Sequence, residues 1–149
     1  MSEYLSIEEI TRYVLDHCPG TVQNENWGER GLFYNPDHSR PKGVYLLTFK
    51  EKDGANDRAS HIDRGGLYRL NLGIGKPAYQ QLFGVPPKRP AAGAIVDTGH
   101  DFTKLDTIMP HPVYGWMSWI AILNPSRETF DQLKPLIQIA YQACVKKWG

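Results

Sequence analysis

The chain has 149 residues, 41% of them hydrophobic, and 17 Lys and Arg stand against 16 Asp and Glu for a formal net charge of +1. That length suits one domain burying about two thirds of its unfolded surface, whereas two domains would each be short of core. The apolar content argues against disorder of the whole chain, and the near-neutral balance excludes a strong global field drawing in nucleic acid or an anionic membrane.

No stretch approaches the roughly 20 apolar residues of a membrane-spanning helix. The start Met1-Ser2-Glu3-Tyr4 is acidic and leads into an amphipathic pattern rather than a secretory signal, so it reads as a folded N-terminus. Cys18 and Cys144 have no partner motif and read as two small buried hydrophobes, which suits a reducing, cytoplasmic setting.

Ser6-Ile7-Glu8-Glu9 has the spacing of a capping box, which predicts a helix with Ile7, Ile10, Val14 and Tyr13 on its apolar stripe. Pro19-Gly20 ends it. Short strands are expected over 21–25, 31–34, 44–50 and 67–72, each bounded by turn residues. The gaps between them are too short for crossover helices, so antiparallel pairing is favoured. Gly75-Lys76-Pro77 opens a brief helix through Phe83, closed by Gly84. A stiff, proline-rich surface excursion follows from Val85 to Gly93.

Trp116 to Leu123 reads as a long aromatic strand, and Asn124-Pro125 stops it. Ser126 then caps a helix reaching Trp148, with Phe130, Leu133, Ile137, Ala140, Tyr141 and Cys144 on one face and a bend expected at Pro135. The pattern as a whole predicts an α+β fold: two layers, a mostly antiparallel sheet, and the N- and C-terminal helices packed on one of its faces.

Motifs of catalysis and metal binding are absent. Leu72-Gly73-Ile74-Gly75-Lys76-Pro77 lacks both the leading glycine and the following Ser or Thr of a P-loop. The histidines at 17, 38, 61, 100 and 111 form no i, i+4 pair, so neither a metal nor another cofactor is implied. His61 or His111 with Asp63 remains an acid–base candidate, but no nucleophile elbow occurs.

Strand alternation is more informative. Tyr68, Leu70 and Leu72 fall on one face and Leu67, Arg69 and Asn71 on the other. Residues 44–49 and 116–123 are apolar on both faces, so the sheet surface away from the helices must also be covered. Segment 84–110, a second copy of the chain, or a ligand could cover it. Of Trp116 and Trp119, three apart on one strand, only one can face the helices. His111 and Tyr114 lead into that strand and would line the rim. A planar or anionic ligand would suit an Arg69 fork beside an aromatic face.

The runs Asp63-Arg64-Gly65-Gly66-Leu67-Tyr68-Arg69-Leu70-Asn71-Leu72-Gly73 and His111-Pro112-Val113-Tyr114, with Trp119 to Pro125, resemble a bacterial family catalogued as a domain of unknown function. In element order the chain more distantly resembles the MmcQ/YjbR-like proteins. The resemblance implies helices on one side of an antiparallel sheet, and for the wider group a DNA-binding label. The dispersed positive charges, with no basic helix, make nucleic acid an unlikely partner. The leading expectation is a non-catalytic domain binding a small molecule or protein through Asp63, Arg69, Asn71, His111, Tyr114, Trp116 and Trp119, with a homodimer as one form of the covered face. A small enzyme and a nucleic-acid binder are the alternatives.

Overall fold

A computed structural model of the chain describes residues 4–26, 29–41 and 43–148. Most of the expected N-terminal start, residues 1–3, lies outside them. Ser6 caps helix α1 (Ile7–His17) as its spacing predicts: its hydroxyl accepts from the Glu9 amide at 3.1 Å, and the Glu9 carboxylate accepts from the Ser6 amide at 3.1 Å. Ser6→Ala is expected to lower stability by about 1 kcal/mol, the usual worth of such a cap, as read from a urea denaturation midpoint. No change would mean that the cap is redundant with the packing of the helix.

Strands β1 (Thr21–Asn26), β2 (Glu29–Tyr34), β3 (Val44–Lys50) and β4 (Arg69–Gly73) form an antiparallel run, followed by α2 (Lys76–Phe83), β5 (Met109–Pro110), β6 (Trp119–Leu123) and α3 (Arg127–Trp148). Among the described residues the sheet has six strands in the order β1-β2-β3-β4-β6-β5, with all neighbours antiparallel. Helices α1 and α3 bury Ile7, Ile10, Val14, Phe130, Leu133 and Ile137 against Leu32, Leu47, Leu70, Leu72, Ile120 and Ile122 of the sheet. The expected α+β architecture with terminal helices on one face is what the chain adopts. No helix among the described residues is long and apolar enough to cross a membrane.

Both thiols lie in or beside this core, Cys18 fully buried and Cys144 nearly so, and they are not joined. Burial pushes each thiol up to about 11, which keeps them protonated and weakly nucleophilic at neutral pH. Pro135 sits inside α3, where it removes the amide that would reach the Asp131 carbonyl.

Several boundaries differ from the sequence reading, β1 running to Asn26 and β2 beginning at Glu29. Leu67 and Tyr68 leave the ladder because Asn124 engages Tyr68 twice, the side-chain oxygen accepting from its amide at 2.9 Å and the Asn124 amide donating to its carbonyl at 3.2 Å. The strand expected from Trp116 begins only at Trp119: Gly115–Met117 is a 3₁₀ turn, and Ser118 takes a left-handed conformation at φ 67°. The two-residue β5 had no pattern to announce it.

In β3, Leu46 is an extra residue opposite the Leu32–Phe33 step, so the register passes from Leu32↔Leu47 to Phe33↔Tyr45. This bulge leaves both Leu46 and Leu47 in the helix-side core, and returns Tyr45 and Thr48 to the opposite face.

Candidate functional site

The face turned away from the helices divides in two. Over β5, β6 and the start of β4, Leu123 and Met109 are covered by Ile62, Val96 and Phe102, with Leu105 and Trp116 packed at the margin. Segment 84–110 therefore closes this half, as one of the expected alternatives had it, although its first part stays exposed: Val85 is 80% accessible. Trp116 lies in this cluster with the Arg89 guanidinium 4.8 Å over its ring. Both Trp116 and Trp119 lie on the second surface, where the sequence reading places one of them, because the turn at 115–118 breaks the strand alternation.

Over β2, β3 and the end of β4 the face is open, and a groove of about 420 Å³ lies there. Its floor is one row across the strands, because Gly31 pairs with Thr48 and Thr48 with Asn71. His111 completes the floor, and Phe33, Tyr45, Tyr114, Met117 and Trp119 wall it. Two glycines let the rings settle. A Cβ on Gly31 would come within 2.5 Å of the Phe33 ring, and one on Gly73 within 2.8 Å of the Trp119 indole. Phe33 in turn packs on Tyr45 with ring centroids 4.5 Å apart. Tyr45 and Tyr114 remain about half exposed, so the rings line a surface rather than fill a core.

Beneath the floor lies Arg69, a fully buried charge on β4. Its Nη1 donates to Asp57 Oδ1 at 2.9 Å and to Ser60 Oγ at 3.2 Å, Nη2 pairs with Asp57 Oδ2, and Nε donates to Asn71 Oδ1 at 2.7 Å. The fork expected to receive an anionic ligand is thus already filled by a carboxylate of the chain. Asn71 passes the contact on, its Nδ2 donating to Thr48 Oγ1 at 3.0 Å.

His111 sits at the other end of this network. Its Nδ1 accepts from the Val113 and Tyr114 amides, both at 3.0 Å. That double capture winds residues 113–117 into turns, the physical reason the aromatic strand starts late. Nε2 lies 3.2 Å from Arg69 Nη2. With Nδ1 accepting from both amides, the neutral ring carries its proton on Nε2, which stands beside Arg69 without accepting from it, and a second proton, on Nδ1, would cost both amide bonds. Burial, Arg69 and Lys50 together hold the imidazole well below its ordinary value of 6.5. His111, expected at the rim, is a neutral floor residue. Tyr114 is the rim residue, its ring centroid 5.1 Å from that of His111.

Asp63 is not among the groove-lining side chains. It stands in an exposed 3₁₀ turn, where its carboxylate accepts from the Asp53 amide at 3.1 Å. His61, exposed in the same turn, caps it without a side-chain bond. Among the described residues no carboxylate contacts His111, and no group of three or more His, Cys, Asp or Glu could hold a metal ion. Sequence reasoning missed Thr48, Phe33, Tyr45, Met117 and Asp57. Period-two alternation from Asn71 through the pairing would have found Thr48, but the bulge hides the phase of Tyr45.

A larger depression of about 620 Å³ lies between α1 and strands β1 and β2. Its lining mixes charged side chains of both signs with Thr11, Gln23, Asn24 and a few apolar residues, and Arg30 is already joined to Glu51 at 3.0 Å and to Glu8 at 3.7 Å. Exposed pairs of this kind satisfy one another and leave little to orient a ligand. The groove on the other face, with buried polar groups at the base of an aromatic wall, has the make-up of a small-molecule site.

An open antiparallel α+β domain with a polar-floored aromatic groove opposite its helices is the class that fold and site define. The chain belongs to a family of unknown function (DUF6194), whose profile matches residues 5–149. Searches of curated proteins and of solved structures give no match.

Proposed function

We propose that residues 1–149 form a single non-catalytic domain that binds a small molecule in the groove over β2, β3 and β4. The observation that carries this reading is the combination of three buried polar side chains, Thr48, Asn71 and His111, with rings left half exposed above them. Exposed aromatic surface beside fixed polar groups is what a ligand covers. Catalysis has less support, because the histidine in the groove is oriented by backbone amides, with a guanidinium rather than a carboxylate beside it. A general base is usually matched in pKa to its working pH, which this buried imidazole is not.

A small-molecule library screened by thermal shift against the wild type and against Tyr114→Ala tests the proposal. Tyr114 is exposed enough to be replaced without loss of core. Compounds that stabilise the wild type are expected to bind the variant about tenfold more weakly, the worth of one stacked ring. Compounds binding both proteins equally would place recognition elsewhere.

A protein partner, including a second copy of the chain, is the second reading. It is favoured by the 52% exposure of Met117 beside the two tyrosines, and a monomer mass independent of concentration would dismiss the second copy. A bacterial cytoplasmic setting and a likeness to the MmcQ/YjbR-like proteins fit either reading. The DNA-binding label of that group has the weaker footing, since a net charge of +1 offers little counterion release.

A further inference from the structure

We infer that the groove selects a neutral, flat molecule carrying a hydrogen-bond acceptor, such as a carbonyl oxygen or ring nitrogen, and that this acceptor meets the hydroxyl of Thr48. The inference rests on the groove being the binding site and adds the chemistry it would choose.

The argument follows the protons outward from Arg69. A guanidinium has donors and no acceptor. Its Nε–H takes the Asn71 oxygen at 2.7 Å, which fixes the amide the other way round, so that the Asn71 nitrogen donates to Thr48 Oγ1 at 3.0 Å. Thr48 thereby has an acceptor position occupied, and none of the hydrogen bonds among the described residues uses its hydroxyl proton. Thr48 is only 7% exposed and lines the groove. Each donor in such a chain polarises the next, so the relay ends at the floor on an O–H donor that can turn toward a ligand. Leaving it unmet in a dry complex is costly, and a ligand acceptor is what meets it.

Neutrality follows from the charges. Arg69 is committed to Asp57, and Lys50 lies 3.4 Å from Glu29, the one charged residue on the lining. His111 stays uncharged. Among the described residues no cation of the lining is left over for an anionic ligand, and the carboxylate at the groove's end is already shared. The rings of Tyr45, Tyr114 and Trp119 with the Met117 thioether suit a flat apolar body.

Four probes of one ring size separate the possibilities: benzamide, toluene, benzoate and phenyltrimethylammonium, each titrated into ¹⁵N-labelled protein while the amides of Thr48, Asn71 and Tyr114 are followed. Benzamide is expected to bind at least about fivefold more tightly than toluene, the ratio one neutral hydrogen bond gives, and more tightly than either charged probe. Thr48→Val should abolish the benzamide preference and Thr48→Ser retain it. The wild-type ranking decides the matter if the valine variant does not fold. Equal affinity for benzamide and toluene, or tighter binding of either ion, would overturn the acceptor inference and leave the groove standing as a site. If no probe shifts the groove amides, the groove reading itself fails and this inference with it.

Discussion

Arg69→Met is expected to lower the free energy of unfolding by about 3–5 kcal/mol, the cost of leaving a largely buried carboxylate without its partner. Asp57 is only 15% exposed and Arg69 not at all, so water cannot take over the lost contacts. The same change also leaves the Ser60 hydroxyl and the Asn71 side-chain oxygen, both on buried residues, without the donor they had. With domains typically stable by roughly 5–15 kcal/mol, the loss would be visible as a large fall in the urea midpoint.

Arg69→Lys should remain well below the wild type, because an ammonium cannot reach Asp57 with two parallel bonds and Asn71 with a third. By contrast, Arg30→Met at the exposed pair with Glu51, whose side chains are 41% and 44% accessible, should cost about 1 kcal/mol or less. A loss under about 1 kcal/mol at Arg69 would show that the loop carrying Asp57 is held by other contacts.

Stability should also fall as pH drops below the ordinary histidine value of 6.5, through His111. In the folded chain this imidazole stays neutral, held down by burial first and then by the charges of Arg69 and Lys50. The unfolded chain takes up the proton at the ordinary value. Between those two values the unfolded state binds more protons than the folded one, so acid favours unfolding. The contribution is nil above the unfolded value and grows by up to about 1.4 kcal/mol per pH unit below it.

His111→Asn removes the titrating ring and keeps an acceptor placed for the amides two and three residues on. Its stability should therefore be flatter than the wild type between pH 5 and 6.5. Glu9, lowered chiefly by the backbone hydrogen bond at Ser6, acts in the same sense but in a lower window: its stabilisation is present above 4.5 and lost as pH falls further. Denaturation midpoints at half-unit pH steps for both proteins decide it, and parallel curves would remove His111 as the origin.

The contrast between α1 and the groove shows how far local chemistry reaches. The capping box at Ser6, the periodic stripe ending at Pro19-Gly20, the β3 run from Val44 to Lys50, α2 after Gly75 and the long face of α3 each depend on neighbours within a few residues. Their pattern is complete in the chain itself. So is the assignment of Arg69 and Asn71 to the face opposite Leu70 and Leu72, since strand alternation is strict.

What Arg69 does on that face depends on Asp57, twelve residues back on a loop with no repeating pattern, and the expectation of a free fork for a ligand failed on that contact. The break at Ser118 has the same origin. Trp116 to Leu123 has the composition of one strand, but His111 binds the two amides that start the turn. Equally, Met109 and Leu123 find their cover in Ile62, Val96 and Phe102, whose spacing announces neither helix nor strand. The sequence by itself determined the helices, most of the strands, their antiparallel pairing and the place of Arg69 and Asn71 on the second face, because these follow from short-range periodicity and turn chemistry. Only the tertiary structure decided which half of that face is closed, that Arg69 is spent on Asp57, and that the open remainder is floored by Thr48, Asn71 and a neutral His111, because each depends on which distant side chain fills a buried hydrogen-bond position first.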